Sequence, residues 1–149
     1  MKPLMIVWQR LVKDGETCDR CGSTREAVVG ALAQLEASLH PLGIQPVLET
    51  RVLDEAAFVA DPSASNRIWI ADRPMEEWLG ASVGMSPCCS VCGDLPCRTL
   101  EVAGTSFEAI PEDLIVKAAL IAVARMIEPA QPQAESPACC SSSCNTACG

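Results

Sequence analysis

The apolar positions of the chain change period several times, and each change marks an element. Leu4-Met5-Ile6-Val7-Trp8, followed after two polar residues by Leu11 and Val12, is a short, nearly continuous apolar run rich in β-formers. A strand is apolar on both faces where both are covered, so this run predicts a central strand. Asp14-Gly15 ends it. Val28, Leu32, Leu35 and Leu39 then recur at the spacing of one helix face. Ser23 and Glu26 supply a capping box, which sets the expected start of that helix just after Cys21. Its end is expected near Gly43, because Pro41 does not fit a helix interior. A second strand over 45–53 completes a strand-helix-strand unit long enough for parallel neighbours with a right-handed crossover.

A short helical turn is expected over 54–59, then a loop, Asp61-Pro62-Ser63-Ala64-Ser65, and a third strand, Asn66-Arg67-Ile68-Trp69-Ile70. Ala71-Asp72-Arg73-Pro74 reads as a turn and 75–79 as a brief helix. Residues 98–102 and 105–109 form an expected hairpin around Ala103-Gly104. Pro111-Glu112-Asp113 opens a terminal helix, with proline tolerated in the first turn and acids favoured by the dipole. From Glu128 the composition turns to Pro, Gln, Ala, Ser and Cys, which cannot build a core. One domain over 1–128 and a flexible tail over 129–149 are therefore expected.

The chain has 149 residues, 49% of them hydrophobic, enough for one ordinary core. A net charge of -8 repels phosphate backbones and anionic lipid, so nucleic acid and membrane surfaces are not expected partners. The most apolar run, 114–127, is too short to span a bilayer and carries Lys117 and Arg125. The first residues run straight into a strand and lack the pattern of a signal peptide, so a cytoplasmic location is expected. Ten cysteines in a chain expected where thiols stay reduced point to metal binding or redox chemistry, not to a disulfide framework.

Those cysteines fall in three groups. In the middle, Ser86-Pro87-Cys88-Cys89-Ser90-Val91-Cys92-Gly93-Asp94-Leu95-Pro96-Cys97 combines a vicinal pair, a C-x-x-C step and a Gly-Asp-Leu-Pro turn that folds Cys97 back toward the others. Adjacent cysteines make strained disulfides, so thiolate ligation is the better account. A zinc knuckle tying down a loop is the structural alternative. The vicinal pair instead favours ions with fewer, softer ligands, such as As(III), Sb(III) or Hg(II). No organic cofactor is expected.

Earlier, Cys18 and Cys21 lie where a helix N-terminus would lower a thiol pKa. The alternative is a pair of inert buried cysteines, against which stand the polar or small neighbours Thr17, Asp19, Arg20 and Gly22. The tail carries Cys139, Cys140, Cys144 and Cys148, either fortuitous or a tethered set that loads and unloads the core site. Weaker candidates are His40, expected near a helix C-terminus, Asp94 in a turn, and Trp78, placed to shield the middle cysteines.

The order strand, C-x-x-C, helix, strand resembles a thioredoxin-like α/β fold, here with a cysteine-rich insertion. Ser65 stands where thioredoxin-like proteins carry a cis-proline facing the thiols. Trp8-Gln9-Arg10-Leu11, Thr17-Cys18-Asp19-Arg20-Cys21, Ser65 to Ile70, Cys88 to Gly93 and Glu108-Ala109-Ile110-Pro111, in this order, resemble the uncharacterised prokaryotic family catalogued as domain of unknown function 2703. The resemblance covers about residues 4 to 125 and implies a thioredoxin-fold relative. The vicinal cysteines and thiol-bearing tail are similar in style to arsenic and mercury resistance proteins.

The expected function is binding of a soft metal or metalloid ion for sequestration, transfer or detoxification. Its ligands would come from Cys88, Cys89, Cys92 and Cys97, with Cys18 and Cys21 as a second or shared site and the tail cysteines assisting. A transporter or thiol carrier protein is an expected partner. Two alternatives stay open. One is a thiol-disulfide oxidoreductase with Cys18 as nucleophile and Cys21 as resolving thiol; the other is a small zinc-stabilised interaction domain.

Overall fold

The computed structural model describes residues 1–88 and 92–129. Cys89 and the tail cysteines Cys139, Cys140, Cys144 and Cys148 lie outside the described residues. The described chain is a mixed α/β structure with two sheets and four helices.

Strand β1 (Lys2–Leu11) is central, as its apolar run requires, lying between β2 (Ile44–Leu53), to which it is parallel, and β3 (Arg67–Ile70), to which it is antiparallel. Strand β4 (Arg73–Pro74) completes the order β2-β1-β3-β4. The sequence suggests only a turn there. Ala71 and Asp72 both take left-handed backbone angles, φ 48° and 63°. This two-residue loop turns β3 back tightly enough for Arg73 and Pro74 to pair with it.

Leu4, Ile6 and Trp8 of β1, with Ile68 and Ile70 of β3, are buried at every second position. Helix α1 (Asp19–Leu39) buries Cys21, Thr24, Val28, Ala31, Leu35 and Leu39 in the same core. It gives way to a 3-10 turn containing Pro41 and stops at Gly43, whose φ of 68° suits glycine. The short helix α2 (Glu55–Ala60) is capped by Asp54, which accepts the Ala57 N–H at 2.7 Å. Helix α3 (Met75–Leu79) follows β4.

The second sheet contains β5 (Ser82–Ser86), β6 (Cys97–Val102) and β7 (Thr105–Phe107), all antiparallel in the order β5-β6-β7. Helix α4 (Glu112–Ile127) closes the fold. It buries Ile115, Ala118, Ala119, Ala122 and Val123, small side chains that permit close helix approach. Gly30 of α1 lies against the Glu112 carboxylate, where even a methyl group would collide. No helix among the described residues is long and apolar enough to cross a membrane.

Buried polar bonds link the layers. Trp8 Nε1 donates to Asn66 Oδ1 at 3.2 Å, and Ile110 N donates to Thr24 Oγ1 at 3.1 Å. Arg98, buried in β6, pairs with Glu76 of α3 and donates to the Ser63 carbonyl at 3.1 Å.

Candidate metal centre

Helix α1 begins earlier than its capping-box pattern suggests. Cys18 is the N-cap residue, extended at φ -76° and ψ 163°, and the helix proper starts at Asp19. The Gly22 N–H to Cys18 carbonyl bond of 2.9 Å closes the first turn, leaving Ser23 and Glu26 exposed inside the helix. The acid at Asp19 already favours a start there through the helix dipole. Cys18 and Cys21 thus share the first turn at a spacing that puts them on one face.

The middle cysteine segment is the loop of the β5–β6 hairpin. Ser86 and Cys97 are partners in register, so the connection 87–96 leaves and returns at adjacent positions. Gly93 helps the return with a φ of 66°. Cys88 follows two residues after β5, and Cys97 opens β6.

The two segments meet. The Sγ atoms of Cys18, Cys88 and Cys92 all lie within 4.8 Å of one another. Cys88 Sγ is 3.8 Å from Cys18 Sγ. Metal–sulfur bonds of roughly 2.3 Å at tetrahedral angles separate their sulfurs by about 3.8 Å, so the gap suits two thiolates on one ion. Cys97 donates toward Cys92 Sγ at 3.1 Å, outside the mutually close triad, while Cys21 Sγ lies 3.9 Å from Ser65 Oγ. Ser65 in turn accepts the Leu11 N–H at 3.2 Å. All five described cysteines are unbridged. Cys18, Cys21, Cys92 and Cys97 are 4%, 1%, 6% and 1% exposed, whereas Cys88 is only half-buried and forms the open side.

Cys92, Cys97 and Cys21 are all raised in pKa and held as neutral thiols. Burial pushes the Cys97 thiol up to about 12, with the hydrogen bond to Cys88 next in weight. Burial and then the neighbouring thiols of Cys97 and Cys88 raise Cys92 further. Cys21 is raised chiefly by its hydrogen bond with Cys18 and then by burial. The expectation that the helix N-terminus lowers the pair's pKa is therefore reversed for Cys21. A close sulfur and an apolar wall outweigh the dipole there.

Arg20, which the sequence presents as just a polar neighbour, spans the site. Its guanidinium donates to the Pro87 carbonyl at 2.9 Å, to Ser86 Oγ at 3.0 Å and to the Arg98 carbonyl at 3.4 Å. It also pairs with Glu108 at 3.3 Å. Its position between two cysteines on a first helical turn is the one sequence signal that could have marked it. The weaker candidates fall elsewhere. His40 is exposed at the C-cap of α1, Asp94 is exposed in the loop, and Trp78 donates to the Ile70 carbonyl at 2.7 Å beneath Arg73, beside the β3–β4 hairpin.

A family model described as Domain of unknown function (DUF2703) matches residues 4–119. A protein of Archaeoglobus fulgidus (strain ATCC 49558 / DSM 4304 / JCM 9628 / NBRC 100126 / VC-16), named only as an uncharacterized protein, is 44% identical over 112 residues. The match covers 75% of this chain and 82% of that protein. No solved structure matches the chain.

Proposed function

We propose, for a chain that belongs to the family Domain of unknown function (DUF2703), thiolate binding of a soft metal or metalloid ion for sequestration, transfer or detoxification. The observation that carries this reading is the meeting of Cys18, Cys88 and Cys92 within 4.8 Å, from segments far apart in sequence. Three sulfurs with no nitrogen or oxygen ligand among them suit soft ions. As(III) and Sb(III) take three thiolates in a pyramid, and Hg(II) accepts two or three. For arsenite the reaction is As(OH)3 plus three thiols giving As(SR)3 plus three waters. Zinc would draw on a fourth sulfur, for which Cys97, at 3.1 Å from Cys92, is a candidate among the described residues. Cys89 and the tail cysteines Cys139, Cys140, Cys144 and Cys148 would add ligands or ferry the ion to a transporter or thiol carrier protein. Such a role suits the reducing cytoplasm.

The strand order β2-β1-β3-β4, with a C-x-x-C on the first turn of the helix after β1, supports a thioredoxin-like reading of the larger sheet. It also favours a second function, thiol-disulfide exchange with Cys18 as nucleophile and Cys21 as resolving thiol. Ser65, 3.9 Å from Cys21 Sγ, stands where such enzymes carry a cis-proline, which weighs against that role. Also against it, Cys18 faces Cys88 at 3.8 Å.

Native mass spectrometry of the reduced chain with zinc, arsenite and mercuric ion tests the reading. It should be run on the wild type, Cys18→Ser and Cys88→Ser, each with and without serine at the four tail cysteines. A one-to-one arsenite adduct is expected on the chain with serine at the tail positions, lost in both core variants. An adduct that survives both substitutions would refute the site. Turnover of a disulfide substrate that needs Cys18 but not Cys88 would support the oxidoreductase instead.

A further inference from the structure

Arg20 sits between Cys18 and Cys21, yet its hydrogen bonds leave α1 for the opposite segment. Nη2 meets Ser86 Oγ and the Pro87 carbonyl, just before Cys88. Nη1 meets the Arg98 carbonyl, just after Cys97. Since Ser86 and Cys97 are register partners, one planar fork grips both stems of the loop that carries Cys88 and Cys92. The Arg20 side chain is 7% exposed, so water competes weakly for these charge-assisted bonds. Lysine would deliver a single point charge and could not span both stems in the same way.

We infer that Arg20 is the positioning residue that sets the distance between Cys18 and the Cys88/Cys92 loop, and so fixes how many sulfurs an ion meets. The inference rests on the proposed reading of the triad as a soft-ion site. Arg20 itself offers no ligand atom, only N–H donors. With it, α1 and the hairpin present the three thiolates of the triad together; without it, Cys88 and Cys92 stay on the loop while Cys18 stays on the helix. The arrangement amounts to an outer-shell support, and substitution of such supports typically lowers metal affinity about 10–100-fold.

The test uses the full-length reduced chain carrying Cys89→Ser, Cys139→Ser, Cys140→Ser, Cys144→Ser and Cys148→Ser, titrated with mercuric ion. The sulfur-to-mercury charge-transfer spectrum distinguishes two thiolates from three, and competition with a small dithiol gives relative affinity. Arg20→Gln and Arg20→Lys are each expected to bind roughly 10–100-fold more weakly, with the spectrum shifted to the two-sulfur form. Their ion-free circular dichroism should remain that of the parent. Arg25→Gln, which removes a cation from the exposed side of α1, is expected to match the parent in both readouts. A three-sulfur spectrum at parental affinity in both Arg20 variants would overturn the inference. So would unfolding of both without ion, because the guanidinium would then serve the fold and not the site. A parent that binds no mercuric ion refutes the underlying reading itself, a result distinct from either of these.

Discussion

If Cys18, Cys88 and Cys92 ligate as a set, the pH dependence of binding must differ sharply between ions. A divalent ion displaces one proton from each thiol it captures, so its affinity rises tenfold per pH unit for every ligand that starts protonated. Cys92 starts protonated throughout the neutral range, because burial first, and then the Cys97 and Cys88 thiols, raise it. A triad captured as three thiols gives a slope of about three decades per pH unit, or about 4 kcal/mol. Should Cys97 join as a fourth ligand, its pKa of about 12 adds a further decade per pH unit. Arsenite behaves differently, since neutral As(OH)3 leaves as water the protons it takes from three thiols and no net proton is released. Its affinity is expected to change less than about threefold across the same range. Competition titrations with zinc and with arsenite between pH 6 and 8, on the chain with serine at the four tail positions, measure both slopes. A zinc slope of one decade or less, or an arsenite affinity as steep as that of zinc, would refute the triad.

Two further predictions concern the fold. The ion-free chain should lose stability as pH rises from about 9 toward 12. Folded Cys97 keeps its proton to about 12 against an ordinary value of 9.0, so the unfolded state sheds protons first and is favoured by up to about 4 kcal/mol. Thermal melts of the parent and Cys97→Ala across this window check the sign, and an equal pH slope in both would contradict it. Thr24→Val should cost about 1–3 kcal/mol in urea unfolding, because it leaves the buried Ile110 N–H without its acceptor. A loss below about 0.5 kcal/mol would show that this bond matters little.

Much of the architecture was legible because it follows from patterning. The β-former-rich apolar run at Leu4–Trp8 reads as a covered strand, and the helical spacing from Val28 to Leu39 outlines α1. Strand β5 was hidden for a physical reason. Ser82-Val83-Gly84-Met85-Ser86 has the composition of a loop, but Gly84 faces Thr99 and Glu101 on β6. A Cβ there would come within 2.5 Å of the Glu101 carboxylate and 2.7 Å of Thr99 Oγ1, so the pairing wants glycine where propensity argues against a strand.

Each cysteine group was visible in the sequence, but their meeting was not, because it depends on how α1 stands against the hairpin. Local spacing gathers Cys88, Cys92 and Cys97; in space, Cys18 joins the first two within 4.8 Å, while Cys97 stays outside that set and bonds Cys92 at 3.1 Å. The start of α1 was misread because a capping box is a local signal. Cys18 takes the N-cap without a side-chain capping bond, and the chain's return from β1 is held where Thr17 Oγ1 donates to the Leu11 carbonyl at 3.2 Å.

The uneven sealing of the sulfurs has a kinetic meaning on the proposed reading. Among the described cysteines Cys88 alone stands at a threshold, with Cys18 and Cys92 behind it. Cargo would therefore be greeted by one sulfur and drawn inward by successive swaps, and on departure would be surrendered at the same doorstep. Any recipient then needs a single reaching thiol, and a bulky chelate would stall outside.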